Sequence, residues 1–330
     1  MKVIDHIKRA QGADGKLEIS FEIVPPPRGS SIKEILDAVE ILATLNPPWM
    51  DVTSHSSVTQ YHERSDGSIS KRTVRKRPGT LGICGIIQNR YKIDTVAHIL
   101  CQGFSKEETE DALIELSFLG IHNCLALRGD APAGAAVVSA APAGAGAAPG
   151  AAAVTVRNRY AADLVAQINE VRQGRFLEDI ANSDPLDFCV GVAGYPEKHF
   201  EAPSLKADIL NLKRKVDAGA DYVITQMFFD NAKFFAFEKA AREAGIQVPI
   251  IPGLKVLKSA AQLRTLPKAF YIDLPDALVD AVMKSPDRAQ EIGREWALMQ
   301  ARDLVKHGCR NLHFYVLNDA QSVKGIVEKI

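Results

Sequence analysis

Residues 193–230 read AGYPEKHFEAPSLKADILNLKRKVDAGADYVITQMFFD. An apolar run that ends at Ala193 and a second at Tyr222–Phe228 bracket one segment, Ser204–Ala218, whose helical spacing stops at Gly219. Polar side chains stand where each run ends: Tyr195, Glu197 and His199 after the first, Gln226 within the second. A strand–helix–strand unit of this kind repeats in parallel α/β barrels, which gather their chemistry at the carboxyl ends of the strands.

The same alternation extends in both directions. Strand-like runs are Ile19–Val24, Met50–Ser54, Val96–Cys101, Cys124–Leu127, Phe188–Ala193, Tyr222–Phe228, Val248–Ile251 and Asn311–Leu317. Helical patterns cover Ser31–Ala43, Tyr160–Val171, Ser204–Ala218, Asn231–Ala244, most of 258–306 and Gln321–Ile330. Leu81–Tyr91 fits strand or helix by pattern, and helix is favoured because Val96–Cys101 makes the better third strand. Ser105 and Glu108 form a capping box for a helix that ends before Gly120. Residues 55–78 read as polar and irregular. Eight strands, each followed by a helix, predict a single-domain (β/α)8 TIM barrel over residues 1–330. The rival, a doubly wound sheet, lacks its marks: no strand leads into GxGxxG, and no GxxxxGK[ST] occurs.

Composition narrows the function. The 330 residues carry 40 basic and 40 acidic side chains, unlike a polyanion-binding domain. The one basic run, Lys71–Arg77, reads as a solvated face, so no nucleic-acid partner is expected. Five cysteines without a CxxC pair argue against a zinc site or redox dithiol and fit a reduced, cytoplasmic protein. The start, MKVIDHIKRA, lacks the apolar core of a signal peptide. Residues 131–156 are uncharged, but Ala, Gly and three prolines make a poor membrane span, and the stretch is expected to be a flexible loop. The eight histidines show no HxH or HxxxH spacing, so no metal is expected, and no nucleophile motif appears.

On a barrel, one rim collects Glu22 in strand one, Thr53 at the end of strand two, His98 in strand three, Arg128 and Asp130 after strand four, Tyr195 and His199 after strand five, Gln226 on strand six, and Tyr315 and Asn318 at the end of strand eight. Buried charges are costly without partners, so this set suggests a polar pocket. Each has a plainer reading. Glu22 can pair with a lysine across the interior, Arg128 and Asp130 can close a turn around Gly129 as an ion pair, and His98 can be a satisfied core histidine. Gln226 is harder to dismiss, because a buried amide needs several partners and a heterocyclic ligand edge supplies them.

Taken together, Ser20-Phe21-Glu22, Leu127-Arg128-Gly129-Asp130, Tyr195-Pro196-Glu197 through His199, Asp208–Gly219, Ile224-Thr225-Gln226, Ile250-Ile251-Pro252-Gly253 and Leu312-His313-Phe314-Tyr315 resemble the catalytic domain of the methylenetetrahydrofolate reductase family over nearly the whole chain. The length matches the short bacterial form. The resemblance implies a barrel that binds FAD without a Rossmann fingerprint. It also implies two half-reactions in one site, in which NADH or NADPH reduces the flavin and 5,10-methylenetetrahydrofolate then accepts the hydride to give 5-methyltetrahydrofolate, in the one-carbon metabolism that supplies methionine. The family's general acid falls on Glu22, and a charge near flavin and pterin falls on Asp130. Its FAD contacts fall on Thr53, His98, Arg128, Gly129, Asp130, Tyr160, Ala161, Tyr195, His199, Asp208, Asn211, Arg214 and Lys215. Its folate contacts fall on Glu22, Asp130, Gln226, Gln262 and Tyr315. A homo-oligomer is implied. The chain departs from some relatives at Asp319, where they carry an Arg that helps hold ligand. A related flavin barrel such as proline dehydrogenase, or a folate-binding barrel without catalysis, is the alternative.

Overall fold

The computed structural model describes residues 1–12, 15–129, 156–317 and 319–330. The chain runs α1 (Val3–Gln11), β1 (Glu18–Ile23), α2 (Lys33–Ala43), β2 (Trp49–Val52), β3 (Ser57–Glu63), β4 (Ile69–Arg75), α3 (Thr80–Ile86) with a π-turn to Tyr91, β5 (Asp94–Leu100), α4 (Lys106–Phe118), β6 (Asn123–Leu127) and α5 (Ala161–Val171). It continues with β7 (Cys189–Gly194), α6 (Leu205–Asp217), β8 (Tyr222–Thr225), α7 (Asn231–Glu243), β9 (Ile250–Ile251), β10 (Gly253–Leu254), α8 (Gln262–Phe270), α9 (Asp276–Lys284), α10 (Ala289–Lys306), β11 (Asn311–Leu317) and α11 (Ala320–Val327).

Nine parallel strands follow the order β10-β11-β1-β2-β5-β6-β7-β8-β9. The expected seventh strand, Val248–Ile251, is present as Ile250–Ile251, and past Pro252 the chain adds a further short strand, Gly253–Leu254. Ile250 and Ile251 pair with β8, while Gly253 and Leu254 pair with β11. One short stretch therefore reaches both neighbours and all but closes a TIM barrel. Gly253 is required at this seam, because a Cβ there would lie 2.3 Å from the Thr225 carbonyl oxygen and 2.6 Å from the Tyr315 ring.

The strands alternate cleanly between two faces. Ile19, Phe21, Ala97, Ile99, Val190, Val192, Leu254, Leu312, Phe314 and Val316 face outward into the core shared with the helices. Trp49, Val96, Leu125, Cys189, Tyr222, Ile224 and Ile251 face inward and pack with Val3 and Ile7 of α1. The latter set fills the amino-terminal half of the interior. α1 thus plugs one end of the barrel, anchored by Val3 N–H to Asn123 Oδ1 at 2.8 Å and by His6 Nε2, 2.7 Å from Asp94 Oδ2.

Two sequence expectations change. Residues 57–75 are not irregular but form an antiparallel hairpin, β3 with β4, turning at Asp66-Gly67, where Gly67 has φ +77° and Ser68 N–H donates to Asp66 Oδ1 at 2.9 Å. It escapes the period-2 pattern because it stands away from the core, with Tyr61 and Ile69 exposed. The sequence reading assigns no helix at α1; no side chain caps it, yet its buried Val3, His6, Ile7 and Ala10 fall at the i, i+3, i+4 and i+7 positions of an amphipathic helix. The favoured helix at Leu81–Tyr91 and strand at Val96–Cys101 match α3 and β5. The Ser105–Glu108 capping box is formed in both directions. The Ala/Gly-rich stretch lies almost entirely outside the described residues, and no helix among those described is long and apolar enough to cross a membrane.

Candidate active site

The carboxyl-terminal half of the interior is polar. Register places Ser20 beside His313, and Glu22 beside both Tyr315 and Asp51. The β1–β11 register shifts at this level, Glu22 pairing with Tyr315 but Ile23 with Leu317, so β11 carries the extra residue Val316, a bulge of the kind that re-aims side chains at barrel rims.

These side chains form one connected network. Asp51 is fully buried. Its Oδ1 accepts from Trp49 Nε1 at 3.0 Å and lies 3.9 Å from His313 Nδ1, while its Oδ2 lies 3.4 Å from His98 Nε2. The same His98 nitrogen is 3.7 Å from Glu22 Oε2. Ser20 Oγ and His313 Nδ1 are 2.8 Å apart. Glu22 therefore tops a column of His98, Asp51, His313 and Ser20. No lysine among the described residues lies within ion-pair distance of it, although the charge of Lys255 across the interior is felt at Glu22.

The electrostatics follow from burial. Desolvation pushes the Glu22 carboxyl up to about 7; His98 and Lys255 pull it down and Asp51 pushes it up. Burial alone would depress His98, but the Asp51 hydrogen bond and the charges of Glu22 and Asp51 override it, so that imidazole is raised. His313 is instead pushed down to about 4 by burial and is neutral at neutral pH. Burial and the Glu22 and Asp51 charges hold the Tyr315 hydroxyl well above its ordinary range. It remains a donor and gives its proton to Thr225 O at 2.6 Å.

A second group lines the rim beyond strands β2, β6 and β7. Gly129 has φ +77°, and a Cβ there would meet Ser56 Oγ at 3.1 Å and Leu100 at 3.3 Å, so only glycine fits. Arg128 contacts Glu201 and lies 5.4 Å over the Tyr160 ring. Its Nε, with Thr53 Oγ1 and Ser56 Oγ, is buried without a hydrogen-bond partner among the described residues. Tyr160 caps α5, where Ala161 begins, with its N–H on Asp163 Oδ2 at 2.9 Å. Tyr195 meets His199 edge-on at 4.9 Å. Asp208 Oδ2 accepts His199 N–H at 2.9 Å, and burial lowers the His199 imidazole. Lys215 turns inward to the Ala193 carbonyl, 5.9 Å from the Tyr195 ring, and burial pushes its ammonium down to about 8. On the exposed side of the same helix Arg214 donates to Asn211 Oδ1 at 3.0 Å.

Gln226 follows β8, its Oε1 accepting from Met227 N–H at 2.9 Å. Gln262 is occupied locally, accepting Lys258 N–H at 2.6 Å. Asp319 caps α11 through Ser322 N–H and lies 3.7 Å from Lys258, a structural place for the residue that departs from the pattern. Glu197 ties Lys233 and Asp273 together at 3.3 and 2.6 Å. Asp130 and Asn318 lie outside the described residues, as does any pairing of Asp130 with Arg128. All five cysteines are free, and no cluster of three metal-ligating side chains stands among the described residues.

Sequence reasoning missed Asp51, His313 as a network member, and Lys255. Asp51 carried the same signal as Glu22, a carboxylate inside an apolar strand (WMDV). Lys255 follows a strand too short to reveal its alternation.

The profile of the family described as methylenetetrahydrofolate reductase matches residues 6–330. The chain is 29% identical to methylenetetrahydrofolate reductase 1 of Schizosaccharomyces pombe over 100% of its own length and 48% of that protein's, so it spans about half of that relative. It is also 29% identical to the 5,10-methylenetetrahydrofolate reductase of Escherichia coli, over 93% of this chain and 88% of the other. A solved structure described as an uncharacterized Clostridium thermocellum protein that binds two copies of 5-methyl-5,6,7,8-tetrahydrofolic acid superposes with a TM-score of 0.58 at 14% identity, covering 99% of each chain. That likeness shows the fold. With the profile match running almost end to end, the chain belongs to the methylenetetrahydrofolate reductase family.

Proposed function

We propose that this chain reduces 5,10-methylenetetrahydrofolate to 5-methyltetrahydrofolate, with NADH as the electron source and FAD bound along the rim. The observation that carries the reading is Glu22, a carboxyl poised near 7 within the open half of a barrel of this family. Opening the bridged ring of the substrate to a reactive iminium requires a proton on the departing nitrogen. A carboxyl that is part protonated at neutral pH is suited to give it. His98, fixed by Asp51, holds the Glu22 carboxylate in place once that proton has left.

The rim fits a large polar cofactor. Thr53 Oγ1, Ser56 Oγ and Arg128 Nε are buried polar atoms without a hydrogen-bond partner among the described residues, gathered around a Gly129 that keeps the backbone open. Thr53, His98, Arg128, Gly129, Tyr160, Ala161, Tyr195, His199, Asp208, Asn211, Arg214 and Lys215 would hold FAD, with Asp130 as the family's additional contact. When bound, FAD supplies the hydride relay between the nicotinamide and the folate. Arg128 and Lys215 offset phosphate charge, and Gln226 offers its amide to a heterocycle edge.

The test is the anaerobic visible spectrum of the holoprotein. Addition of NADH should bleach the flavin bands, and 5,10-methylenetetrahydrofolate should restore them. Bleaching without recovery, with recovery on a different acceptor, rejects the folate assignment. A protein that takes up no FAD rejects the reading entirely.

A further inference from the structure

Lys255 lies 2% exposed just beyond β10, and its Nζ has no hydrogen-bond partner among the described residues. Leu254 and Val256 on either side pack outward in the helix-facing core. Alternation therefore turns Lys255 to the barrel interior, on the same face as Gly253. Gly253 pairs with His313 and Leu254 with Phe314. Lys255 thus comes level with Tyr315, the residue in register with Glu22. Its charge is felt at Glu22, and Glu22, Lys258 and Asp319 are the charged groups around it. An ammonium buried without a partner costs stability. It is tolerated where a ligand completes it.

We propose that Lys255 is a ligand-binding residue of this site, donating to a carbonyl oxygen of the heterocycle seated against Glu22. This rests on the proposed folate reduction. Three ring systems present such a carbonyl, the pterin, the nicotinamide carboxamide and the flavin isoalloxazine, and the level of Glu22 favours the pterin. Burial holds the ammonium down to about 8, so it is mostly charged at neutral pH and makes a charge-assisted donor.

The experiment compares wild-type and K255M holoprotein in the two half-reactions separately, alongside the melting temperature. Met keeps the length and removes the charge. The expected result has three parts. K255M melts no lower than wild type, its half-saturating concentration for 5,10-methylenetetrahydrofolate rises roughly tenfold or more, and its flavin reduction by NADH is unaltered. K255Q, which retains a donor, recovers part of the affinity. The pH profile gives a readout that a structural role would not move. Glu22 faces His98, Asp51, Tyr315 and Lys255. Loss of the lysine charge raises its pKa, so the alkaline fall of the folate step moves to higher pH. A rise confined to NADH upholds the donor and assigns it to the carboxamide. Unchanged half-saturation for both ligands, or a lower melting temperature with unaltered binding, overturns the inference. Wild type that fails on folate but bleaches with NADH rejects the folate reading itself, a different result from a variant that matches an active wild type.

Discussion

At the scale of single residues, the interior network sets two opposing titrations. Glu22 has a folded pKa of about 7, above its ordinary 4.5. Its contribution is full below the unfolded value and is lost as pH rises through 7. His313, near 4 against an ordinary 6.5, contributes above 6.5, and that contribution is lost as pH falls toward 4. Each is worth on the order of 3 kcal/mol, and they offset one another between about pH 4.5 and 6.5. E22Q removes one side of this balance. Denaturant unfolding should show the variant losing stability on acidification through that window more steeply than wild type; parallel pH curves would contradict the assignment. Asp51 acts on the same carboxyl from below. D51N removes a charge that raises Glu22 and also raises His98. D51N should therefore lower the pKa of the His98 imidazole, read by NMR titration, and an unmoved His98 would contradict the network.

At the scale of elements, the barrel depends on two local devices. One is α1 as the plug of the apolar end. Ile7 is fully buried against the interior cluster, and I7A should cost about 2–4 kcal/mol in denaturant melts while leaving both half-reactions intact in the folded protein. The other is the seam at Pro252. G253A places a Cβ against the Thr225 carbonyl and the Tyr315 ring, whose hydroxyl bonds that same carbonyl. It should destabilise by about 1–3 kcal/mol or more and slow folate reduction, because Tyr315 adjoins Glu22. Normal stability and turnover would show that the seam has more room than the geometry allows. These devices also mark where sequence reading stopped. Strands with strong outward alternation and capped helices such as α4 were legible because local pattern and fold agree. A two-residue strand and a hairpin away from the core leave no such trace, whereas α1 lacks a cap but does carry the spacing of an amphipathic helix.

For the molecule as a whole, an interior apolar at one end and polar at the other places an acid near neutrality beneath a rim where Thr53, Ser56 and Arg128 leave polar atoms without a hydrogen-bond partner among the described residues. The rim set was legible residue by residue: Glu22, His98, Arg128, Gly129, Tyr195, His199 and Gln226 lie at the carboxyl-terminal side of the sheet. The support beneath was less so, because Asp51, His313 and Lys255 meet only once register brings distant strands level. The central claim is that Glu22 gives the proton in the folate half-reaction. The most direct measurement is the rate of flavin reoxidation by 5,10-methylenetetrahydrofolate, across pH, in wild type and E22Q. The wild-type rate should fall as pH rises through about 7, and E22Q should lose roughly 10²–10⁴-fold while NADH still bleaches its flavin. An E22Q protein that reoxidises at the wild-type rate would contradict the account.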